Sequence, residues 1–240
     1  MLLDSFVADG FGIVDVVDES QHAVLQQLVL CRLADLARNE PDVGRFELRD
    51  LAEYHRLEIP AEAHRRLLSG TQRFVPLTPE HEAPFLAPAL FPIMDYLWGQ
   101  HDDVSIKRVD LEGNLVDHQC GFRVVRPQTA DATLPHTDSD DGAFSLFTVW
   151  LPLVGFDSRY SLKVFPGTHR CKHPSDAIVR DDRFAALPYS AEYVSQFESF
   201  RPDLRKGQGI VFHNELLHGA ADNLGDATRV SLEVRVFGQA

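Results

Sequence analysis

A change of pattern near residue 104 constrains the fold of this chain more than any other feature of its sequence. Beyond that point, six short runs are rich in β-branched and aromatic residues and are bounded by Gly, Pro, Asn and Asp, which is typical of strands. These runs are SIKRVDLEG, HQCGFRVVRP, FSLFTVWLPL, SLKVFPG, GQGIVFH and TRVSLEVRV. The residues before that point carry a helical pattern instead.

Three segments of the first 103 residues are predicted to be helices. In residues 19–41 the apolar positions recur every three or four residues and mark one face, and Pro41 ends the segment. That face comprises Val24, Leu25, Leu28, Leu30, Leu33 and Leu36. The other two predicted helices are residues 61–70 and the apolar residues 83–100, the latter interrupted by Pro88 and Pro92.

Helices followed by strands predict an α+β, mainly β fold rather than alternating βαβ units. Neither a repeat nor a Pro/Gly/Ser-rich linker divides the 240 residues, so we expect one domain over residues 1–240. Within it, a helical brace should occupy about residues 1–103 and a β core about residues 104–240. The proportions of hydrophobic (44%) and charged (25%) residues are those of an ordinary globular protein.

The net charge of −13 argues against nucleic acid and anionic membranes as partners, because both are polyanions. The three cysteines, Cys31, Cys120 and Cys171, are widely spaced and odd in number, which favours reduced thiols over disulfides. The first residues do not resemble a signal peptide, and no apolar run reaches the roughly 18 residues that span a bilayer. We therefore expect a cytoplasmic protein with a small-molecule partner; the sequence leaves the oligomeric state open.

The last predicted strand, TRVSLEVRV, has two different faces because side chains alternate along a strand. Val230, Leu232, Val234 and Val236 form its apolar face, and Arg229, Ser231, Glu233 and Arg235 form its polar face. A wetted outer strand explains this pattern. It is also explained by a barrel strand whose Arg229 and Ser231 hold a ligand carboxylate, since the guanidinium fork matches both carboxylate oxygens. Glu233 and Arg235 are interpreted as a structural ion pair.

The segment LPHTDSDDG contains a candidate metal motif. His136 and Asp138 are two residues apart, so in an extended segment they point the same way and offer a nitrogen and an oxygen to one ion. His218 supplies a candidate third ligand, and Arg229 follows it by eleven residues. A His–Asp–His set binds one face of an octahedral Fe(II) and leaves positions open for a co-substrate and dioxygen.

Other interpretations of the histidines remain open at this level. The segment HNELLH fails as a zinc-protease helix, because His213 and His218 are five residues apart rather than four. His213 and Glu215 form a second His-x-acid pair, which would suit a cupin-like metal enzyme without 2-oxoglutarate. A non-catalytic β-barrel binding module, with incidental histidines, is the third alternative.

Three further stretches complete an ordered pattern. FVADGFGIVDVV lies near the start, FTVWLPL is followed by SLKVFPGTHR, and HGAADNLGDATRVSLEVR contains the distal His and the Arg. Together with the HTD motif, this set resembles the phytanoyl-CoA dioxygenase-like family of non-haem Fe(II)/2-oxoglutarate oxygenases, with Thr168 where the family's turn has Ser. The resemblance covers almost the whole chain and implies a double-stranded β-helix (jelly-roll) core braced by N-terminal helices.

The resemblance also implies cofactors and roles. His136, Asp138 and His218 match the Fe(II) ligands, and Arg229, assisted by Ser231, matches the residue that pairs with the distal carboxylate of 2-oxoglutarate. The implied reaction consumes O2 and couples decarboxylation of 2-oxoglutarate to oxidation of a substrate C–H bond. Hydroxylation, desaturation and ring closure are all compatible with these residues.

Further site residues follow from position. Gln119 and Thr148 lie on strands where relatives contact the co-substrate, whereas Ala220 replaces a hydroxyl residue that relatives often carry two positions after the distal His. Asp140, beside the metal motif, and Arg123 are candidate substrate contacts, although a solvated turn explains Asp140 equally well.

The predicted substrate is a small polar metabolite. No basic cluster suits the phosphates of coenzyme A, so an acyl-CoA substrate is not expected. We favour a natural-product (antibiotic) tailoring step on a sugar or aminocyclitol scaffold, by hydroxylation or oxidative ring closure. Hydroxylation of a free or carrier-bound amino acid is the alternative within the same family.

Overall fold

The computed structural model describes residues 1–44, 46–100, 102–109, 114–129, 134–138, 146–179, 188–219 and 222–238. Its helices are α1 (Leu2–Asp9), α2 (Glu19–Arg38), α3 (Ala61–Leu67), α4 (Pro79–Glu82), α5 (Phe91–Trp98) and α6 (Ala191–Val194). Its strands are β1 (Phe11–Asp15), β2 (Phe74–Pro76), β3 (Val104–Val109), β4 (Leu115–Asp117), β5 (Gln119–Val125), β6 (Leu146–Val154), β7 (Lys163–Val164), β8 (Gln208–His213), β9 (His218–Gly219) and β10 (Arg229–Gly238).

The longest helix, α2, begins where the sequence predicts and ends three residues before Pro41. Asp18 caps it by accepting a hydrogen bond from the backbone of Gln21, whose side chain bonds back to the Asp18 backbone. Its buried positions are His22, Leu25, Val29, Leu33 and Ala37. Val24, which was counted in the predicted apolar face, is instead 49% exposed.

The other two predicted helices are shorter than their segments. Residues 61–70 form α3, which ends at Leu67. Residues 83–100, predicted to be interrupted by Pro88 and Pro92, are divided into two short 3₁₀ turns and α5. Each of these pieces starts with a proline in its first turn, because proline lacks the N–H needed further inside a helix.

The strands form a large antiparallel sheet, here called the major sheet. Its strand order is β1-β8-β6-β10-β3-β4, with β5 also paired to β10 and β2 paired to β5. The predicted strands beyond residue 104 are confirmed. The major sheet also recruits β1 and β2, two strands from the first 103 residues, so the helical part of the chain contributes to the β core.

A second, smaller sheet pairs β7 with β9, with Lys163 opposite Gly219 and Val164 opposite His218. His136 extends this minor sheet by an antiparallel bridge to His218. One face of the major sheet packs on the helices, while side chains of its other face, including Trp150 and Phe212, pack with Val164 of β7. The fold is the α+β, mainly β jelly roll that the resemblance implied.

The apolar face of β10 lies at the centre of the helix-facing core. Val230, Leu232, Val234 and Val236 are all 0% exposed and belong to one cluster with side chains of α2 and α5. The polar face of β10 therefore points away from the helices, toward the minor sheet. Among the described residues, no helix combines the length and apolar character that crossing a membrane requires.

Candidate metal and co-substrate site

The three predicted metal ligands converge between the two sheets. The backbones of His136 and His218 exchange two hydrogen bonds of 3.0 Å, which places the two rings side by side with centroids 4.4 Å apart. Asp138 is anchored by its backbone N–H, which donates to the Asn214 carbonyl at 2.7 Å. All three side chains are buried, at 5%, 3% and 3% exposure for His136, Asp138 and His218.

Backbone carbonyls set the tautomer of both histidines. His136 Nδ1 lies 2.8 Å from the Leu134 oxygen, and His218 Nδ1 lies 2.9 Å from the Leu216 oxygen. A carbonyl oxygen can only accept, so each Nδ1 carries the proton and each Nε2 keeps its lone pair for a metal. Burial, followed by the neighbouring His218, lowers the pKa of His136 to about 4, which keeps that ring neutral.

The glycine after His218 permits the close approach of the chain segments that carry His136 and His218. Gly219 has a φ of +112°, and a Cβ on it would lie 3.0 Å from the Leu134 oxygen and 3.3 Å from His136 Nδ1. Those two atoms form the hydrogen bond that orients the His136 ring. A larger residue at position 219 would therefore be strained and would displace this bond.

The donor atoms fit a metal ion. Asp138 Oδ1 lies 3.9 Å from His136 Nε2 and 4.0 Å from His218 Nε2. Since metal–ligand bonds are about 2.0–2.2 Å long, one ion could bind all three donors after the side chains move slightly inward. Within the described part of the chain, this is the only set of three His, Cys, Asp or Glu side chains with donor atoms this close together. Two nitrogens and one carboxylate suit Fe(II).

The major sheet supplies both partners of the Asp138 carboxylate. Thr148 Oγ1 of β6 donates to Oδ2 at 2.8 Å, and Arg235 Nη2 of β10 donates to Oδ1 at 2.6 Å. Burial acts to raise the pKa of Asp138, but the Arg235 charge and the other neighbours outweigh it, so the pKa is below its usual range. Asp138 is thus an anion held in place in a water-poor site.

Arg229 and Ser231 lie on the polar face of β10, and each is only 1% exposed. This burial excludes the wetted outer strand at the start of β10 and shows that these two side chains are directed into the fold. Asn223 closes the turn before β10, donating to the carbonyls of Val125 and Ala227 at 2.9 Å each. The Arg229 guanidinium donates to the Tyr160 carbonyl at 3.5 Å. A buried guanidinium beside a hydroxyl suits a carboxylate ligand.

The remaining predicted site residues have varied surroundings. Gln119 Oε1 accepts from Arg108 Nε at 2.5 Å, and Thr148 donates to Asp138 as described above. Arg123, opposite Ser231 in the β5–β10 ladder, lies 3.6 Å from Glu233. The predicted substrate contact Asp140 and the unusual Ala220 lie outside the described residues.

Sequence reasoning missed the contact of Arg235 with Asp138. The expected pair of Arg235 with Glu233 is present at 3.4 Å, but the shorter bond of Arg235 goes to the predicted metal ligand. The alternation of β10 contained a signal for this, because Arg235 shares its face with Arg229. The sequence of β10 alone does not indicate which residue its polar face contacts.

The alternative pair of His213 and Glu215 does not form a metal site among the described residues. His213 Nδ1 accepts the backbone N–H of Glu215 at 3.1 Å, so it is not available as a ligand atom. The ring of His213 lies near Phe6 and His169 at the docking surface of α1, with centroids 6.0 and 5.6 Å away. Among the described residues, the second His-x-acid pair that the cupin-like alternative requires is therefore not arranged as a metal site.

A family profile decides the classification. The profile of phytanoyl-CoA dioxygenase (PhyH) matches residues 71–231, which span the His–Asp–His set and both β10 residues of the predicted co-substrate site. The chain belongs to the phytanoyl-CoA dioxygenase family. As a member, it is an Fe(II)- and 2-oxoglutarate-dependent oxygenase, whose cofactors are Fe(II), 2-oxoglutarate and O2. No curated protein sequence matches the chain significantly.

Solved structures share the fold at low sequence identity. EvdO2 from Micromonospora carbonacea var. aurantiaca, complexed with 2-oxoglutarate, is 18% identical with a TM-score of 0.58 over 99% of this chain and 90% of that one. The α-ketoglutarate-dependent carbocyclase SnoK from nogalamycin biosynthesis is 14% identical with a TM-score of 0.58, covering 99% and 83%. EctD from S. alaskensis, with 2-oxoglutarate and 5-hydroxyectoine, is 17% identical with a TM-score of 0.58, covering 98% and 74%.

Proposed function

We propose that this phytanoyl-CoA dioxygenase family member binds Fe(II) through His136, Asp138 and His218, and 2-oxoglutarate through Arg229 and Ser231. The observation that carries the proposal is the convergence of three oriented donors beside the polar face of β10, which also holds the buried Arg229. Bound Fe(II) would activate O2, which is the oxidant both for conversion of 2-oxoglutarate to succinate and CO2 and for oxidation of a substrate C–H bond.

The protein's own residues do the positioning. The two histidines present neutral Nε2 atoms because the carbonyls of Leu134 and Leu216 hold their Nδ1 protons. Asp138 provides the negative charge that offsets part of the metal charge. Arg229 offers a fork of donors and is itself only 1% exposed. In such a buried environment a charged hydrogen bond is stronger than it would be in water.

Apolar side chains limit water around the donors. Phe212 of β8 lies against the ring of His218, with centroids 4.4 Å apart, and Trp150 of β6 is 3% exposed on the same face of the sheet. Excluding water in this way protects a reactive site from side reactions and preserves the hydrogen bonds that orient the ligands. The described walls of the site are thus apolar, with a few convergent polar groups.

An anaerobic titration tests the metal and co-substrate roles. Metal-free protein would receive Fe(II), with and without 2-oxoglutarate, while the visible charge-transfer absorption of the chelated complex is recorded. We expect a band that saturates at about one iron per chain, given the three-ligand set. His136→Ala should abolish the band, and Arg229→Ala should require much more 2-oxoglutarate to produce it.

His213→Ala is the matched control, because it removes a histidine of the alternative pair. Its band should equal that of the unchanged protein. Absence of a band under all conditions would rule out the proposed site. A band lost in His213→Ala but retained in His136→Ala would move the assignment to the alternative pair.

For the substrate, we propose a small polar metabolite of the sugar or aminocyclitol type, oxidised by hydroxylation or ring closure in an antibiotic tailoring step. Support comes from the fold shared with SnoK, named as a carbocyclase of nogalamycin biosynthesis, and with EvdO2. Succinate release, measured with panels of aminocyclitols, deoxysugars and free amino acids, tests this. Stimulation by amino acids alone would reject the proposed class in favour of an amino-acid hydroxylase.

We also propose that the protein acts in the cytoplasm. All three cysteines are free thiols, and two of them, Cys31 and Cys171, are exposed. Exposed thiols of this kind persist in a reducing compartment. Fractionation of the native host cells, with antibody detection, would test the location; recovery from the medium would contradict it.

A further inference from the structure

The carboxylate of Asp138 is held at both oxygens by side chains of the major sheet. Thr148 bonds Oδ2 and Arg235 bonds Oδ1, at 2.8 and 2.6 Å. Thr148 is 0% exposed and the Arg235 side chain is 17% exposed, so water competes little for either bond. Rotation of the carboxylate would break both hydrogen bonds in a buried environment, which is costly.

The sheet itself sets the spacing of these two donors. Arg235 of β10 and Thr148 of β6 are directly opposite each other in the antiparallel ladder. Residues in that relation point to the same face, with Cβ atoms about 4.5–5.5 Å apart. A one-residue slip between the strands would turn one of the two donors to the helix-facing side. The pair therefore depends on a rigid element of the fold.

The two carboxylate oxygens have different surroundings. Oδ1 accepts from Arg235 and lies 3.9 and 4.0 Å from the Nε2 atoms of His136 and His218, whereas Oδ2 accepts from the Thr148 hydroxyl. His136 and His218 would hold an ion through their Nε2 atoms, and Asp138 would hold it through Oδ1. A carboxylate that also used Oδ2 would fill a coordination position that the co-substrate and dioxygen need.

Arg235 Nη2 has a second carboxylate partner besides Asp138. Its guanidinium lies 3.4 Å from Glu233 Oε1, and Glu233 lies 3.6 Å from Arg123. The exposure of the Glu233 and Arg123 side chains is only 23% and 19%. Burial acts to raise the pKa of Glu233, but Arg123 and Arg235 outweigh it and lower the pKa, so Glu233 stays an anion. Arg235 is thus held between two carboxylates.

We infer that Thr148 and Arg235 are a pair of positioning residues that hold Asp138 so that Oδ1 alone is offered to the metal. The inference rests on the proposed Fe(II) site. It adds that these two residues limit the number of coordination positions that the Asp138 carboxylate would occupy on the metal. It also gives Thr148 the role of orienting the metal ligand Asp138, instead of the co-substrate contact that its position in the sequence suggested.

Metal binding and the visible spectrum of the Co(II)-loaded protein, without 2-oxoglutarate, test the inference. The d–d absorption of Co(II) changes in position and intensity with coordination number, so it reports whether Asp138 uses one oxygen or two. Thr148→Val keeps the side-chain shape and removes the hydroxyl. We expect an altered Co(II) spectrum and Fe(II) binding weakened by about 10-fold or more, as is usual for outer partners of ligands.

Arg235→Met should alter the same two readouts, and Arg235→Lys should restore them only in part, because the flexible ammonium does not fix a donor in place as the planar guanidinium does. Lys107→Met is the matched control. Lys107 is opposite Arg235 on its other side, in β3, and bonds Asp117 at 3.3 Å rather than Asp138. Its spectrum and Fe(II) affinity should equal those of the unchanged protein.

Each outcome has one meaning. A merely structural role would lower the melting temperature of the Thr148 and Arg235 variants while leaving their Co(II) spectra unchanged, which would overturn the inference. A Thr148→Val protein with an unchanged Co(II) spectrum but weaker 2-oxoglutarate binding would also overturn it and return Thr148 to the co-substrate. If the unchanged protein bound neither Fe(II) nor Co(II), the proposed function would fail together with the inference.

Discussion

The two faces of β10 are equally inaccessible near its start but are constructed differently. On the helix-facing side, Val230 and Leu232 are 0% exposed and pack in one large apolar cluster. On the opposite side, Arg229 and Ser231 are 1% exposed, and Arg229 has a specific polar neighbour in the Tyr160 carbonyl. The same ten residues thus serve both the stability of the fold and the chemistry of the site.

This difference teaches which substitutions each face should tolerate. Apolar contacts are non-directional, so the helix-facing side depends mainly on volume and burial. Hydrogen bonds and ion pairs depend on distance and angle, so the polar side depends on the identity of each residue. Variants of the first face should change stability with little effect on ligands, and variants of the second should do the reverse.

The largest effect on stability is expected from Leu232→Ala. This residue is 0% exposed in the helix-facing cluster, so truncation leaves a cavity and should lower the free energy of unfolding by about 2–5 kcal/mol. Urea unfolding of the metal-free protein measures it. Fe(II) and 2-oxoglutarate affinity of the folded variant should stay unchanged. A variant with normal stability but weaker Fe(II) or 2-oxoglutarate binding would contradict the division of β10 into a stabilising face and a ligand-binding face.

Acid should weaken the helical layer through His64 of α3. Burial, and secondarily Arg126, lowers the pKa of His64 to about 4, and its Nδ1 lies 2.9 Å from the Tyr54 hydroxyl. The unfolded chain takes up this proton near pH 6.5, before the folded protein does. The contribution of His64 to stability should therefore be fully present above about pH 7 and decline by at most about 3 kcal/mol toward pH 4.

Urea unfolding at a series of pH values would show this decline. His64→Gln is the control, because it removes the titrating ring while keeping a polar side chain. Its stability should depend less steeply on pH between 6.5 and 4 than that of the unchanged protein. Equal slopes in the two proteins would contradict the assignment to His64.

A smaller effect is expected on the polar face from Ser231→Ala. Loss of one hydroxyl donor to a charged carboxylate should weaken 2-oxoglutarate binding by about 10-fold, with little change in the free energy of unfolding. Titration of the charge-transfer band with 2-oxoglutarate gives the affinity, and Leu232→Ala serves as the comparison from the opposite face. Unchanged affinity would remove Ser231 from the co-substrate site.

The smallest effect should come from the edge of the sheet. Arg205 lies 3.1 Å from Asp15 of β1, but both side chains are about 70% exposed, at 72% and 68%. Water and salt screen such a pair, so Arg205→Gln should leave the urea midpoint and both ligand affinities unchanged. A clear loss of stability would show that the outer edge contributes more than its exposure indicates.

Local pattern was sufficient for much of the fold and of the candidate site. The alternation of β10, the capped helix α2 and the six strand segments all follow from side-chain period and from Gly and Pro punctuation. The spacing of His136 and Asp138 also follows from the two-residue period of an extended chain. Local pattern failed for β2, a three-residue strand that is too short to show a period.

What the sequence by itself determined was the division of β10 into two faces and the spacing that lets His136 and Asp138 bind one metal, because both depend on near neighbours in the chain. Only the tertiary structure decided that Arg235 and Thr148 would meet Asp138. These residues are 97 and 10 positions from Asp138, and their contact depends on the register of β6 against β10 and on the approach of the minor sheet. Register and sheet stacking come from the packing of the whole core, which no local pattern encodes.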